Sequence, residues 1–339
     1  MRALVITKHG GPEVLQVQDR PDPAPGPGEV RVAVKAAGIN FADLLARVGL
    51  YQEAPKPPAV VGYEVAGEVE SLGSGVEGIA VGDRVMAGTR FGGYAELAVA
   101  NAGGVLPLPA DWSFEEGASF PVVYATAYAC LLRYGALRAG EKLLLQAAAG
   151  GVGIACTQIA GHVGAEIFGT ASASKHDAIR GFGVDHAIDY RTQDFAKEVR
   201  RISGRKTPLD LIVDGIGGSS FKKGYSLLNA GGRIVCIGLS AVMEGEQRSV
   251  PRAIKTIAST PRFNVLRMMQ SSRGVIGLNM LKVWDAHGAS PEDTAGLGKL
   301  VTDGVVRPVV SESFPLERGG DAHRFVAERK NIGKVVLTV

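Results

Sequence analysis

Residues 142–164 constrain this chain more than any other stretch. An apolar strand-like run, Lys142 to Ala147, passes through Ala-Ala-Gly-Gly-Val-Gly (148–153) into a helix-compatible run that ends at Gly164. A strand entering a helix through closely spaced glycines approximates the fingerprint G-x-G-x-x-G, with Ala148 at the first glycine position. Glycines at Gly150, Gly151 and Gly153 let backbone come close to a pyrophosphate. The unpaired N–H groups at the helix start, Val152 included, favour its negative charge. The other reading, a glycine turn packed for its own sake, loses ground to the context. A second strand-like run, Ala165–Thr170, follows one unit on, with helix-like Ser174–Gly181 behind it. Asp210–Asp214 and Arg233–Gly238 are further apolar runs with helix-compatible Phe221–Leu228 between them. Alternating strands and helices predict an α/β module with a parallel sheet.

The first 120 residues have a different rhythm. Arg2–Thr7, Glu29–Ala36 and Val60–Val69 are alternating or β-branched, Pro21, Pro23, Pro25 and Pro27 punctuate the first connection, and an all-β module is expected. Residues 281–339 return through a helix, Asp293–Asp303, to the strand-like end GKVVLTV. The predicted divisions are 1–122, 123–280 and 281–339, with the first and last forming one β-rich module. The 46 glycines among 339 residues are about twice the usual frequency and imply many tight turns.

Charge and cysteines narrow the function. Lys plus Arg number 37 against 34 acids, a net charge of +3, which disfavours nucleic-acid binding by bulk charge. Cys130, Cys156 and Cys236 are an odd, scattered set, which fits a reducing cytoplasm better than a disulfide framework. The start MRALVITKHGG has no signal-peptide core, and Leu143–Ala160 is too interrupted by Gln146, Gln158 and glycines for a membrane span. A cytoplasmic protein without membrane contact is expected.

At the end of the second strand, NAD-preferring folds place a carboxylate about 20 residues past the first glycine. This chain has Thr170, Ser172 and Lys175 there, and Glu166 lies at the wrong end of the strand. Hydroxyls and an ammonium suit a 2′-phosphate where a carboxylate would repel it, so NADPH is the expected cofactor. A helix N-cap serine with a solvated lysine is the alternative. The six histidines show no helical or hairpin ligand spacing, and no two cysteines lie within four residues, so no metal is expected.

These residues resemble the medium-chain dehydrogenase/reductase superfamily, in its zinc-free quinone oxidoreductase branch and nearest its vesicle amine transport protein 1 group. The motifs that carry the resemblance span the chain: GINFADLLARVGLY (38–51), VVGYEVAGEVESLG (60–73), VGDRVMA (81–87), FPVVYATAYACL (120–131), the glycine turn, GTASASKHDAI and NIGKVVL (331–337). The resemblance implies a GroES-like β-barrel catalytic domain from both chain ends, a Rossmann doubly wound parallel sheet between, and a cofactor in the cleft. Where zinc members carry a histidine before a glutamate, this chain has Gly62-Tyr63-Glu64, and Asn40 stands near the first ligand cysteine.

By position the resemblance assigns Gly151, Val152 and Gly153 to the pyrophosphate and Thr126 to the nicotinamide end. It assigns Ser172, Lys175 and Tyr190 to the 2′-phosphate, Ile237, Leu239 and Leu278 to the nicotinamide pocket, and Asn331 to the last cofactor-contacting turn. It also implies a homodimer joined through the Rossmann sheets near Val275–Leu278. Relatives reduce a C=C bond conjugated to a carbonyl in quinones, enones or enoyl thioesters, with a hydride from NADPH arriving at the β-carbon. Tyr51 is the candidate donor, with an aromatic wall as its alternative role. Asn40 is a second polar candidate, against a turn-stabilising side chain, and Tyr63 is set against a packed core tyrosine.

One stretch falls outside these assignments. Between Gln247 and Trp284 there is no acid, while Arg248, Arg252, Lys255, Arg262, Arg267, Arg273 and Lys282 are interleaved with apolar residues. It reads as a solvated helix with an apolar face, a wall that receives coenzyme A with Met268 and Met269 on the acyl chain, or a surface for anionic membrane. The expected activity is NADPH-dependent, zinc-independent reduction of a C=C bond conjugated to a carbonyl in a quinone, enone or enoyl-CoA thioester. An enoyl-CoA reductase and a non-catalytic NADPH-binding structural or membrane-associated protein are the alternatives.

Overall fold

The computed structural model describes the backbone of residues 1–339 and all side chains except those of Glu244, Gln247, Arg248 and Val250. The first part of the chain forms β1 (Arg2–Ile6), β2 (Leu15–Asp19), β3 (Glu29–Ile39), α1 (Phe41–Arg47), β4 (Ala59–Val60), β5 (Glu64–Leu72), β6 (Arg84–Gly88), β7 (Leu97–Asn101), β8 (Val105–Pro107) and the single-turn α2 (Phe114–Gly117). The expected strand Val60–Val69 is two strands, because Gly62 takes φ +100° and turns the chain between β4 and β5.

The middle alternates: α3 (Pro121–Tyr128), β9 (Lys142–Leu145), α4 (Gly151–Val163), β10 (Glu166–Ala171), α5 (His176–Gly181), β11 (His186–Asp189), α6 (Phe195–Ser203), β12 (Leu209–Asp214), α7 (Ser219–Tyr225) and β13 (Leu228–Cys236). An insertion then carries the two-residue strands β14 (Met243–Glu244) and β15 (Gln247–Arg248) and the helices α8 (Val250–Ser259) and α9 (Val265–Ser271). It is followed by β16 (Gly274–Gly277), α10 (Met280–His287), α11 (Pro291–Thr302), β17 (Val310–Pro315), α12 (Gly319–Ala327) and β18 (Lys334–Thr338). Among the described residues no helix is long and apolar enough to cross a membrane.

The six parallel strands run β11-β10-β9-β12-β13-β16, the order of a doubly wound dinucleotide fold. Central β9 is Lys-Leu-Leu-Leu, with Leu143, Leu144 and Leu145 buried, because helices cover both faces and alternation disappears. The β module is a seven-stranded sheet, β17-β18-β3-β5-β6-β8 with β7 also on β3, beside the three-stranded β2-β1-β4. C-terminal β18 inserts next to β3, so both chain ends build one body, as the resemblance implies. Helix α11, which a division at 280/281 assigns to the β module, adds Leu297 and Leu300 to the core that holds Leu143 and Leu145.

The modules meet where the glycine turn touches the last strand. Gly333 N–H donates to Ala149 O at 2.8 Å, and a Cβ on Gly151 would lie 2.8 Å from Lys334 Cδ. The turn and β18 therefore share one wall of the cleft.

Candidate active site

A cleft of about 1290 Å³ runs between the modules, and the glycine turn forms its floor. Gly150 precedes helix α4 as its N-cap and offers no side-chain cap, which leaves the first N–H groups of the helix pointing into the cleft. Gly153 is required for another reason. A Cβ there would lie 2.5 Å from Ala148 O and 2.6 Å from Ala147 O, so a larger residue pushes helix and strand apart. Thr170 ties the turn down: its hydroxyl donates to Gln146 Oε1 at 2.7 Å and accepts Ala147 N–H at 3.1 Å.

Charge is sorted along the cleft. Among the described residues no Asp or Glu lines it, whereas Lys175, Lys223, Arg252, Lys255, Arg329 and Lys334 do. At the end beyond β10 and β11, a smaller alcove of about 240 Å³ adds Arg191 to Tyr190, Arg252 and Arg329. Arg329 lies over the Tyr190 ring at 6.0 Å and holds a left-handed φ of +57°. Such strain in a non-glycine residue costs on the order of 1–3 kcal/mol and needs outside support. Lys175 supplies it, because its ammonium donates to Arg329 O at 2.7 Å and Asn331 O at 2.6 Å. Half burial draws the Lys175 ammonium below its ordinary pKa. Burial pushes the Tyr190 phenol up, but hydrogen bonds from Arg329 and Arg191 outweigh it and leave the group below its ordinary value.

The opposite end holds neutral donors over a buried ion pair. Register builds it: Val335 opposite Ile39 sets Lys334 beside Asn40, and Val65 opposite Ala37 brings Glu64 to the same place. Lys334 Nζ lies 2.6 Å from Glu64 Oε1, with side-chain exposures of 5% and 0%. Lys334 also donates to Asn40 Oδ1 at 2.9 Å and Ile39 O at 2.6 Å, while Asn40 Nδ2 donates to Glu64 Oε1 at 2.8 Å. The second carboxylate oxygen of Glu64 accepts Val122 N–H at 2.8 Å, which anchors the start of α3. Tyr51 packs edge-on to Tyr63, with ring centroids 6.2 Å apart. Burial first, then Glu53, pushes the Tyr51 phenol up to about 12. Burial also drives the Tyr63 phenol far above its ordinary value, and its hydroxyl has no partner among the described residues.

Known proteins share this architecture. The alcohol dehydrogenase GroES-like domain family matches residues 26–110, and a family described as zinc-binding dehydrogenase matches 182–337. The synaptic vesicle membrane protein VAT-1 homolog of Danio rerio is 40% identical over 339 residues, covering 99% of this chain and 70% of that protein. The chain belongs to the medium-chain dehydrogenase/reductase superfamily, in its VAT-1 group. The crystal structure of the human VAT-1 homolog-like protein superposes with a TM-score of 0.86 at 33% identity, covering 100% of this chain and 98% of that one. The quinone oxidoreductase of Escherichia coli, solved as an NADPH complex, superposes at 0.85 with 29% identity and complete coverage of both chains.

A zinc ion, which one family description implies, does not fit this reductase-family cleft. The Glu64 carboxylate is already occupied by the Lys334 ammonium, and Asn40 offers an amide where a ligand would need a thiolate or imidazole. Among the described residues no group of three His, Cys, Asp or Glu side chains is placed to hold a metal. A dinucleotide phosphate does fit, on the uncapped α4 terminus and the carboxylate-free walls.

Of the residues singled out in the sequence, Asn40, Tyr51, Tyr63, Thr126, Gly150, Gly151, Val152, Gly153, Thr170, Ser172, Lys175, Tyr190, Ile237, Leu239, Leu278 and Asn331 all line the cleft. Met268 and Met269 do not. They sit on α9 outside it, Met269 at 69% exposure, so the structure does not bring either methionine to the cleft. Thr126 spends its hydroxyl on Val122 O at 2.6 Å, and Asn331 Nδ2 donates to Gly333 O at 2.7 Å. Arg329 and the Glu64–Lys334 pair are the residues that sequence reasoning missed. Arg248, part of the basic stretch, lies outside the described side chains.

Proposed function

We propose that this chain binds NADPH in the cleft and reduces a C=C bond conjugated to a carbonyl, in a quinone or small enone. The observation that carries the reading is the sorting of charge: among the described residues no carboxylate lines either end, exposed cations and uncapped backbone lie at one, and the other has neutral donors over a lysine that is buried and paired. The NADPH complex of the Escherichia coli relative supports it. When bound, the nicotinamide supplies the hydride that such a reduction needs.

The chain's own residues provide placement and polarisation. The glycine turn and the α4 N–H groups receive the pyrophosphate. Arg329, Tyr190 and Ser172 meet the 2′-phosphate, with Lys175 bracing the Arg329 backbone. Ile237, Leu239 and Leu278 give an apolar wall that keeps water from the reacting carbon. Tyr51 and Asn40 donate to the substrate oxygen that gathers negative charge as the double bond is reduced. With its pKa near 12, the Tyr51 phenol keeps its proton throughout the neutral range and can deliver it.

The test is NADPH oxidation against a 1,4-quinone, a small enone, a crotonyl thioester and a simple alcohol paired with the oxidised cofactor. Turnover of the first two and none of the alcohol is expected. Tight NADPH binding with no turnover on any would favour a non-catalytic structural or membrane-associated role. An enoyl-CoA substrate keeps one supporting observation, that Arg252 and Lys255 of α8 line the cleft. Absence of inhibition by coenzyme A at roughly millimolar levels would remove it. We also propose a cytoplasmic homodimer joined along β16, the edge strand of the parallel sheet, with light scattering as the check.

A further inference from the structure

We propose that the buried Glu64–Lys334 pair is a polarity-setting device: it fixes which end of the Asn40 amide the cleft receives, and so makes Asn40 a hydrogen-bond donor. The inference rests on the reading above, in which charge develops on a substrate oxygen, and it assigns Glu64 and Lys334 as positioning residues.

Donors and acceptors around Asn40 fix the orientation of its amide. An amide side chain has two near-identical ends, and nothing in its shape decides which atom is oxygen. Here its neighbours decide. The Lys334 ammonium can only donate, so the atom 2.9 Å from it must be the Asn40 oxygen. The Glu64 carboxylate can only accept, so the atom 2.8 Å from it must be the nitrogen. A flip of the amide would set oxygen against carboxylate and N–H against ammonium in a site with almost no solvent, where such mismatches are most costly. One N–H of the nitrogen is given to Glu64, and the other remains for the cleft that Asn40 lines.

The device is also held rigid. Lys334 is pinned by a third bond to Ile39 O, and its stem packs against the start of α4, where a Cβ on Gly151 would lie 2.8 Å from Lys334 Cδ. Glu64 is pinned by Val122 N–H at the head of α3. An ion pair in this position is poor evidence for added stability, because desolvation offsets much of the attraction. Orientation of a neutral donor is what the pair supplies that two apolar residues of equal volume would not.

The experiment uses full-length protein with bound NADP⁺ and 4-nitrophenol as a probe whose phenolate resembles an oxygen carrying developing charge. The readout is the pKa of the bound probe, followed by its phenolate absorbance, with turnover and NADPH affinity measured in parallel. Wild type should lower the probe pKa relative to water. Glu64→Gln is made together with Lys334→Met, because either charged neighbour alone would still forbid the flip. The double variant should give back about one unit of that shift, the tenfold effect expected for one hydrogen bond to a charged group. Its kcat should fall by roughly tenfold while NADPH affinity holds within about threefold. Asn40→Leu removes the amide without adding a charge beside the pair, and it should lose the shift as well, which covers the case where the double variant fails to fold. If Glu64→Gln with Lys334→Met, or Asn40→Leu in its place, keeps the probe shift and turnover, the inference is overturned while the reductase reading stands. Wild type that shows neither a shift nor alkene turnover overturns both.

Discussion

The two ends of the cleft solve opposite electrostatic problems. On the proposed reading the phosphate end holds a permanent anion, and it is lined by the backbone of Gly150–Gly153 and by Tyr190 and Arg329, with Lys175 bracing the Arg329 backbone. The chemical end, on the same reading, meets charge that exists only fleetingly, and it keeps its full charges buried and paired beside neutral Asn40 and Tyr51. The difference teaches where binding and turnover should separate. Substitutions at one end should move affinity, and those at the other should move rate.

Tyr51→Phe tests the sharpest form of that separation. It should lower kcat by roughly 100-fold, the low end for a lost proton donor, and leave NADPH affinity unchanged. Because the phenol titrates near 12, wild-type kcat should show no loss from this group between pH 6 and 9. Unchanged kcat and unchanged α-proton incorporation would reduce Tyr51 to a packing surface. Arg329→Ala is the mirror experiment. It should weaken NADPH by about tenfold, leave NADH within twofold, and spare kcat at saturation, read by fluorescence titration and steady-state kinetics. A kcat effect as large as the affinity effect would break the comparison.

Stability against pH sharpens the contrast from below the chemical end. His323 is fully buried without a partner for either ring nitrogen among the described residues, and burial, then Arg47, holds its pKa far below 6.5. Only the unfolded chain takes up that proton near pH 6, so stability from His323 is complete above 6.5 and falls as pH drops. Asp43, which accepts Asn40 N–H at 2.8 Å, has the opposite sign. Burial raises it to about 7, so its contribution declines as pH rises from about 4 toward 7. His323→Leu should therefore gain on wild type by up to about 1.4 kcal/mol for each pH unit below 6.5, measured by urea unfolding at pH 8, 6.5 and 5.5. A constant difference across these pH values would contradict a neutral buried imidazole. The smallest effect expected is from Met269→Ser, which should leave the KM for any substrate within twofold, since α9 lies outside the cleft.

What was legible in the sequence follows from distance along the chain. The phosphate end is one contiguous strand–turn–helix–strand unit from Lys142 to Ala171, and its glycines and the Thr170-Ser172-Lys175 cluster are visible in a single window. Arg329 was not visible, because it reaches the same pocket from beyond α12, and the motif beside it marked Asn331 and not the arginine. Asn40, Glu64 and Lys334 meet only through the pairing of β3 with β5 and β18, and the motifs GYE and NIGK carried no sign that they touch. Helix α12 begins with two glycines and has little local preference to reveal it. The methionines stand apart from the cleft for a physical reason. Apolar residues in a helix read as inward-facing, yet Ile254, Ile257, Val265, Leu266 and Met269 all stand exposed on α8 and α9.

The most direct measurement is the fate of a labelled hydride. NADPH deuterated at C4 of its reduced ring, turned over with a small enone, should place one deuterium on the β-carbon of a saturated ketone, as read by NMR. Deuterium on the carbinol carbon of an allylic alcohol, or no transfer with either NADPH or NADH, would contradict a cleft built around neutral donors for alkene reduction.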